Sequence, residues 1–97
     1  MQSKRFDVAT IEIDGADVRI KYGDLLVARH DNADDVDWEC VVVPFDAAPM
    51  ERGAYRVDVV TLEGRAIGGD AILVRSVDGT HVLRGAGPLA GLADDDL

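Results

Sequence analysis

The chain has 97 residues, with 10 lysines and arginines against 19 aspartates and glutamates, which gives a formal net charge of −9. This length fits one domain, because a single hydrophobic core usually serves about 100–150 residues. Apolar residues make up 47% of the sequence, which is enough to build such a core. The charge excludes an ordinary nucleic-acid binder, since phosphate contacts require clustered lysine and arginine. No apolar run approaches the ~20 residues of a membrane-spanning helix.

The first residues, Met-Gln-Ser-Lys-Arg-Phe-Asp, contain no apolar stretch like the core of a signal peptide. Cys40 is the single cysteine, so no internal disulfide can form. We therefore expect a cytoplasmic protein. The preference for arginine over lysine, together with abundant alanine, glycine, valine and aspartate, is typical of a GC-rich bacterial source.

Apolar and polar residues alternate along most of the chain, which is the pattern of half-buried β-strands. The predicted strands are, in chain order, 6–13, 16–22, 36–43, 55–62, 70–75 and 80–84. No stretch longer than about ten residues keeps a helical period, and the best candidate for a helical turn is 45–52. We predict an all-β fold, a small barrel or sandwich of six to seven antiparallel strands.

Glycines punctuate the predicted strands. Asp14-Gly15, Glu63-Gly64 and Asp78-Gly79 predict tight turns, because glycine accepts the positive φ of hairpin turns. Gly23 and Gly68-Gly69 lie inside strand-like runs and suggest bulges or sharp bends at the corners of a barrel.

The two halves of the chain resemble each other: residues 6–15 match residues 55–64, and residues 23–29 match residues 69–75. Two interpretations stay open. Either hairpins rich in valine, isoleucine and glycine simply look alike, or a duplicated three-strand unit closes into a six-stranded barrel.

The predicted organisation is a flexible N-terminus over residues 1–5, one all-β domain over residues 6–88, and an irregular acidic tail over residues 89–97. We expect Leu89 and Leu92 to pack against the sheet and the three aspartates of 94–96 to be solvated.

Two features resemble parts of known functional sites but lack what those sites require. The run from Gly85 to Ala90 fits a dinucleotide-binding pattern, but Pro88 and Gly91 interrupt the helix that would have to face a pyrophosphate. Cys40 shares a predicted strand face with apolar residues, so it is expected to be a buried, inert thiol. We therefore predict no catalytic residue, no cofactor and no metal site.

The densest acidic segment carries Asp31, Asp34, Asp35 and Asp37. An EF-hand loop starting at the first of these fails, because apolar residues occupy loop positions 3, 6 and 12. The same four aspartates are our candidate acidic interaction surface. Trp38 and Tyr22 are the candidate lining of a pocket at the mouth of a small barrel, with core packing as the alternative for each.

One resemblance rests on four features: Ala9-x-Ile-x-Ile-Asp-Gly15, then Trp38, then Val57-x-Val-x-Thr-x-Glu-Gly64, then Leu83-Arg-Gly-Ala-Gly-Pro88. Together they resemble a small actinobacterial all-β domain of unknown function that is also found appended to some flavin-dependent monooxygenases. The chain departs from that pattern after the tryptophan, where Glu39-Cys40 replace Gly-Arg. The resemblance implies an all-β fold and no site residue.

Three functions remain as expectations. The first is a non-enzymatic binding module whose acidic surface meets a protein partner with a basic surface. The second is a barrel that binds an apolar small molecule, as a carrier or a minor biosynthetic enzyme. The third is an acidic mimic of nucleic acid. A homodimer stays open, and we expect neither nucleic acid nor a membrane as partner.

Overall fold

The computed structural model describes residues 2–31 and 35–97. Its elements are seven strands and one short 3-10 helix, Asp94–Asp96. The strands are β1 (Gln2–Ile13), β2 (Ala16–Val18), β3 (Ile20–Arg29), β4 (Asp37–Pro44), β5 (Ala54–Thr61), β6 (Ala66–Val77) and β7 (Thr80–Gly85). The all-β prediction is confirmed.

Six of these strands form a closed antiparallel barrel in the order β1-β3-β4-β7-β6-β5, with β5 pairing back to β1. The seventh, β2, pairs with the last residues of β1. The barrel consists of two three-strand meanders, β1-β3-β4 and β5-β6-β7, joined through the β4–β7 and β1–β5 pairs. This topology is the one expected of a duplicated three-strand unit, and it is a barrel rather than a sandwich.

Two of the three predicted turns are two-residue hairpins with left-handed backbone. Asp14 and Gly15 have φ angles of 53° and 80°, and Asp78 and Gly79 have φ angles of 53° and 74°. Positive φ at both central positions is the geometry whose twist matches that of paired strands. These turns fix which residues face each other across each hairpin.

The core fills the barrel with inward-facing residues of every long strand. Trp38 is 3% exposed, and Cys40, next to it on the same face of β4, is fully buried. The other fully buried large side chains come from both meanders and include Phe6, Ile11, Leu25, Val27, Val42, Val57 and Leu83.

Three local expectations differ from the structure. Residues 2–5, predicted to be flexible, belong to β1, where Gln2–Arg5 pair with the end of β3. Residues 45–52, the candidate helical turn, form an irregular β4–β5 connection. Gly68 and Gly69 do not lie at a register shift of β6, because that shift falls between Leu73 and Arg75.

The tail is anchored rather than loose. Ala90 exchanges two backbone hydrogen bonds with Gly68, and Leu89 and Leu92 pack against the core as expected. The expectation of three solvated aspartates is wrong for Asp96, whose carboxylate accepts two 2.7 Å bonds from Arg65 and one 3.2 Å bond from Lys4. Two cations within reach explain why this carboxylate folds back onto the barrel.

Candidate functional site

A groove of about 640 Å³ lies on the outer wall of the barrel. Its floor is the outer face of β1, β5 and β6, with β2 on one side and the tail on the other. The lining residues are Thr10, Glu12, Asp17, Arg56, Asp58, Val59, Val60, Ala66, Ile67, Gly68, Ala90 and Gly91.

Three carboxylates lie side by side across this groove. Glu12 on β1 is directly opposite Asp17 on β2 and directly opposite Asp58 on β5. Residues directly opposite each other in an antiparallel pair project from the same face with Cβ atoms about 5 Å apart. The groove therefore contains an acidic row, defined here as Asp17, Glu12 and Asp58.

One carboxylate of the acidic row forms an ion pair on the outer wall of the barrel. The Arg56 guanidinium contacts Asp58 at 3.0 Å, and that hydrogen bond raises the pKa of Arg56. The pair lies against bare backbone at Gly68, where an added Cβ would overlap the Asp58 carboxylate. Glu12 and Asp17 therefore face each other directly, and Arg56, which lines the same groove, is paired with Asp58.

Like charges directly opposite each other across strands destabilise a sheet. The opposite wall of the barrel follows the usual rule, since Glu39 on β4 is opposite Arg84 on β7 and contacts it at 3.4 Å. By this rule the Glu12–Asp17 pair opposes folding, whereas Arg56 offsets part of the charge of Asp58. In physical terms, the row can hold a positively charged group.

The predicted acidic surface lies elsewhere. Asp34 lies outside the described residues, whereas Asp31, Asp35 and Asp37 are exposed at the β3–β4 connection. Asp37 contacts the His30 imidazole at 3.0 Å. None of these three lines the groove. Among the residues that the structure describes, no three His, Cys, Asp or Glu side chains are arranged to share a metal ion.

The two aromatic residues predicted to line one pocket face opposite sides of the barrel wall. Trp38 points into the core, and its indole Nε1 donates to the Gly87 carbonyl at 3.0 Å. Tyr22 is 51% exposed, and its hydroxyl donates to Asp24. Strand alternation explains the separation, because Gly23 and Leu25 take the inward positions of β3 and Tyr22 the outward one.

Cys40 is buried as predicted. Burial raises the pKa of its thiol to about 12, with the charge of Asp24 as a smaller cause. A thiol with this pKa carries almost no thiolate at neutral pH, so it is not an activated nucleophile.

Sequence reasoning missed Glu12, Asp17 and Asp58. The Asp14-Gly15 turn could have revealed the first two, because a two-residue hairpin places Glu12 opposite Asp17. No comparable local pattern points to Asp58, which reaches the row only when β5 pairs with β1.

Comparisons with known proteins add no family to this picture: no family model matches the chain, and neither curated proteins nor solved structures include a match. In the described part of the chain, no helix has the length and apolar character needed to cross a membrane.

Proposed function

We propose that this domain is a non-enzymatic binding module that holds a basic segment of a protein partner in the groove across β2, β1 and β5. The observation that carries the proposal is the acidic row. Glu12 lies opposite Asp17 on one side and opposite Asp58 on the other, and an isolated domain gains no stability from like charges at such positions. Local choices that oppose folding are concentrated at functional sites.

The dimensions of the row suit arginine or lysine side chains. Neighbouring strands are about 4.8 Å apart, so the three carboxylates span roughly 10 Å. A planar guanidinium can bridge two carboxylates at that spacing and offers several N–H donors. Exposed Val60 and the wall at Ala66 supply apolar surface for the methylene stems of long basic side chains.

The net charge of −9 supports the same partner class, because it attracts a basic surface over long range. Binding of this kind weakens as salt rises, since exposed charges are screened beyond about 8 Å at physiological ionic strength. A bound cation also relieves the repulsion within the row, so the partner should stabilise the fold as well as bind to it.

The test compares two double variants of equal charge. Glu12→Gln with Asp17→Asn removes two charges from the groove, and Asp35→Asn with Asp37→Asn removes two from the β3–β4 connection. The probe is a short peptide of alternating arginine and threonine, titrated by calorimetry at low salt. We expect the groove variant to lose about tenfold in affinity, as two exposed ion pairs would. The control should lose much less.

If the control lost as much affinity as the groove variant or more, the peptide would bind at the β3–β4 connection. If neither variant lost affinity, the acidic row would not be the binding site. Stability supplies an independent readout, because Glu12→Gln removes two like-charge contacts and should stabilise the free domain by roughly 0.2–1 kcal/mol. A destabilised Glu12→Gln variant would mean that the carboxylate serves the fold, contrary to the proposal.

A further inference from the structure

Another concavity, of about 270 Å³, lies at one end of the barrel. Most of its wall is apolar and comes from three places: the β1–β2 hairpin, the end of β4 and the β4–β5 connection. These apolar residues are Ile13, Val18, Pro44, Ala48 and Met50. Two polar side chains complete the lining, Asp46 and His81.

His81 is held by a short chain of hydrogen bonds. The Met50 backbone N–H donates to Ser76 Oγ at 2.9 Å, and Ser76 Oγ lies 2.8 Å from His81 Nδ1. Because a backbone N–H can only donate, Ser76 accepts that bond and has its own hydroxyl proton to offer to Nδ1. In the tautomer where Nδ1 accepts this proton, the neutral ring carries its own proton on Nε2, and we take this tautomer as part of the inference.

Burial keeps the imidazole uncharged. His81 is 4% exposed, and desolvation lowers its pKa, opposed in part by the charge of Asp46. Ser76 occupies Nδ1, so Nε2–H is the ring group that remains for a molecule in the pocket. The wall thus offers one neutral hydrogen-bond donor in otherwise apolar surroundings, with a carboxylate at the rim.

We infer that this pocket binds a small, uncharged, largely apolar molecule with one carbonyl or hydroxyl oxygen, which accepts a hydrogen bond from His81 Nε2. Asp46 disfavours carboxylate ligands by repulsion. The apolar wall costs any charged ligand its hydration, and an ammonium group would bring only donors to the Nε2–H donor. Ser76 is a positioning residue that fixes the tautomer.

Three probes on one aromatic ring separate these chemistries: acetophenone with a carbonyl, ethylbenzene without one, and benzoate with a charge. Each is titrated at millimolar concentration into the full chain while the ¹⁵N resonances of the His81 ring are recorded by NMR. The free protein should show a protonated Nε2 and an acceptor Nδ1. Acetophenone should shift Nε2 saturably and bind about three- to tenfold more tightly than ethylbenzene, and benzoate should not bind.

Two variants test the roles of the side chains. His81→Leu keeps an apolar pocket and should reduce acetophenone binding to the level of ethylbenzene. Ser76→Ala should change the ratio of His81 tautomers and reduce the preference for acetophenone over ethylbenzene. Ser76→Thr keeps the hydroxyl and should restore both the tautomer ratio and the preference. A merely structural serine would alter stability without moving the tautomer ratio.

Several results would overturn the inference: an Nδ1-protonated ring in the free protein, benzoate binding as tightly as acetophenone, His81→Leu binding acetophenone unchanged, or none of the three probes shifting His81. The inference is independent of the proposed groove function. The Glu12→Gln, Asp17→Asn variant should leave acetophenone binding as it is, and His81→Leu should leave peptide binding as it is.

Discussion

The two ends of the barrel are closed in different ways. At the Trp38 end, where β4 begins and β7 leads into the tail, the indole of Trp38 fills the opening and is bonded to the tail through Gly87. At the His81 end, where β4 leads into the β4–β5 connection, a concavity of about 270 Å³ is bordered by that connection, the β1–β2 hairpin and His81. A concavity of about 360 Å³ also borders Trp38 and Gly85, so the two ends differ in the residues that cover the core and not in the presence of a concavity.

Two glycines allow the Trp38 indole and the tail to pack closely against the sheet. An added Cβ at Gly85 would overlap the indole ring of Trp38, and one at Gly69 would collide with the Pro88 carbonyl. The tail can therefore approach the sheet only over bare backbone. The difference between the ends is one of packing, because the Trp38 indole and the tail cover the core at one end and the β4–β5 connection borders it at the other.

The largest expected effect is at the Trp38 end. Gly85→Ala should destabilise the protein by roughly 3 kcal/mol, because a rigid indole occupies the place of the new methyl group. Gly87→Ala is the matched control, since a Cβ there meets nothing within 4 Å, and it should change stability by less than about 1 kcal/mol. Urea unfolding followed by Trp38 fluorescence measures both. Similar losses of stability in the two variants would contradict close packing around the Trp38 indole.

At the His81 end, the corresponding glycine should matter less. Gly79→Ala should cost about 1 kcal/mol, because its φ of 74° is unfavourable for alanine while its nearest neighbour, Ala47, is at an ordinary 3.6 Å. Gly79→Asn should lose less, since asparagine tolerates left-handed backbone better. Thermal unfolding compares these variants with Gly85→Ala. A loss at Gly79 as large as that at Gly85 would show that the two ends are packed alike.

Removing the charge of Asp96, which binds the tail to Arg65, should have a smaller effect on stability, because solvent screens a charge pair near the surface. Bonds from Arg65, Lys4 and the Ala93 N–H hold the pKa of Asp96 well below its usual range. A lowered pKa in the folded state stabilises the protein above the ordinary aspartate pKa, about 4, and this contribution is lost as the pH falls below it.

Asp96→Asn should therefore lower the melting temperature at pH 7, and its difference from the unmodified protein should shrink as the pH falls below about 4. Melting curves between pH 7 and pH 2 measure this difference. A difference that stays constant over this range would mean that the tail is held by Leu89 and Leu92 rather than by the charge.

A thiol reagent added to the native protein is expected not to label Cys40. Cys40 lies between the two ends, is fully buried and has a thiol pKa raised to about 12. Labelling followed by mass spectrometry should require denaturant. Rapid labelling at pH 8 would show that one end opens often, and a faster rate in Gly85→Ala than in Gly79→Ala would identify the Trp38 end.

Local sequence could have predicted two of the three residues in each candidate site. The Asp14-Gly15 turn sets Glu12 opposite Asp17, and the Asp78-Gly79 turn sets Ser76 opposite His81. A two-residue hairpin loop fixes the register of its strands, so both pairs follow from the turn alone. The third partner of each site, Asp58 in one and Met50 in the other, comes from a distant part of the chain.

The sequence by itself determined the strand character of most of the chain, two of the hairpin turns and the burial of Cys40, because alternation and turn chemistry act between residues that are close along the chain. Only the tertiary structure decided that β5 closes onto β1, that the tail covers one end, and that Asp96 folds back onto Arg65. These outcomes depend on pairing between distant segments. Hydrophobic alternation specifies which face of a strand is buried, but it does not specify which strand lies beside it.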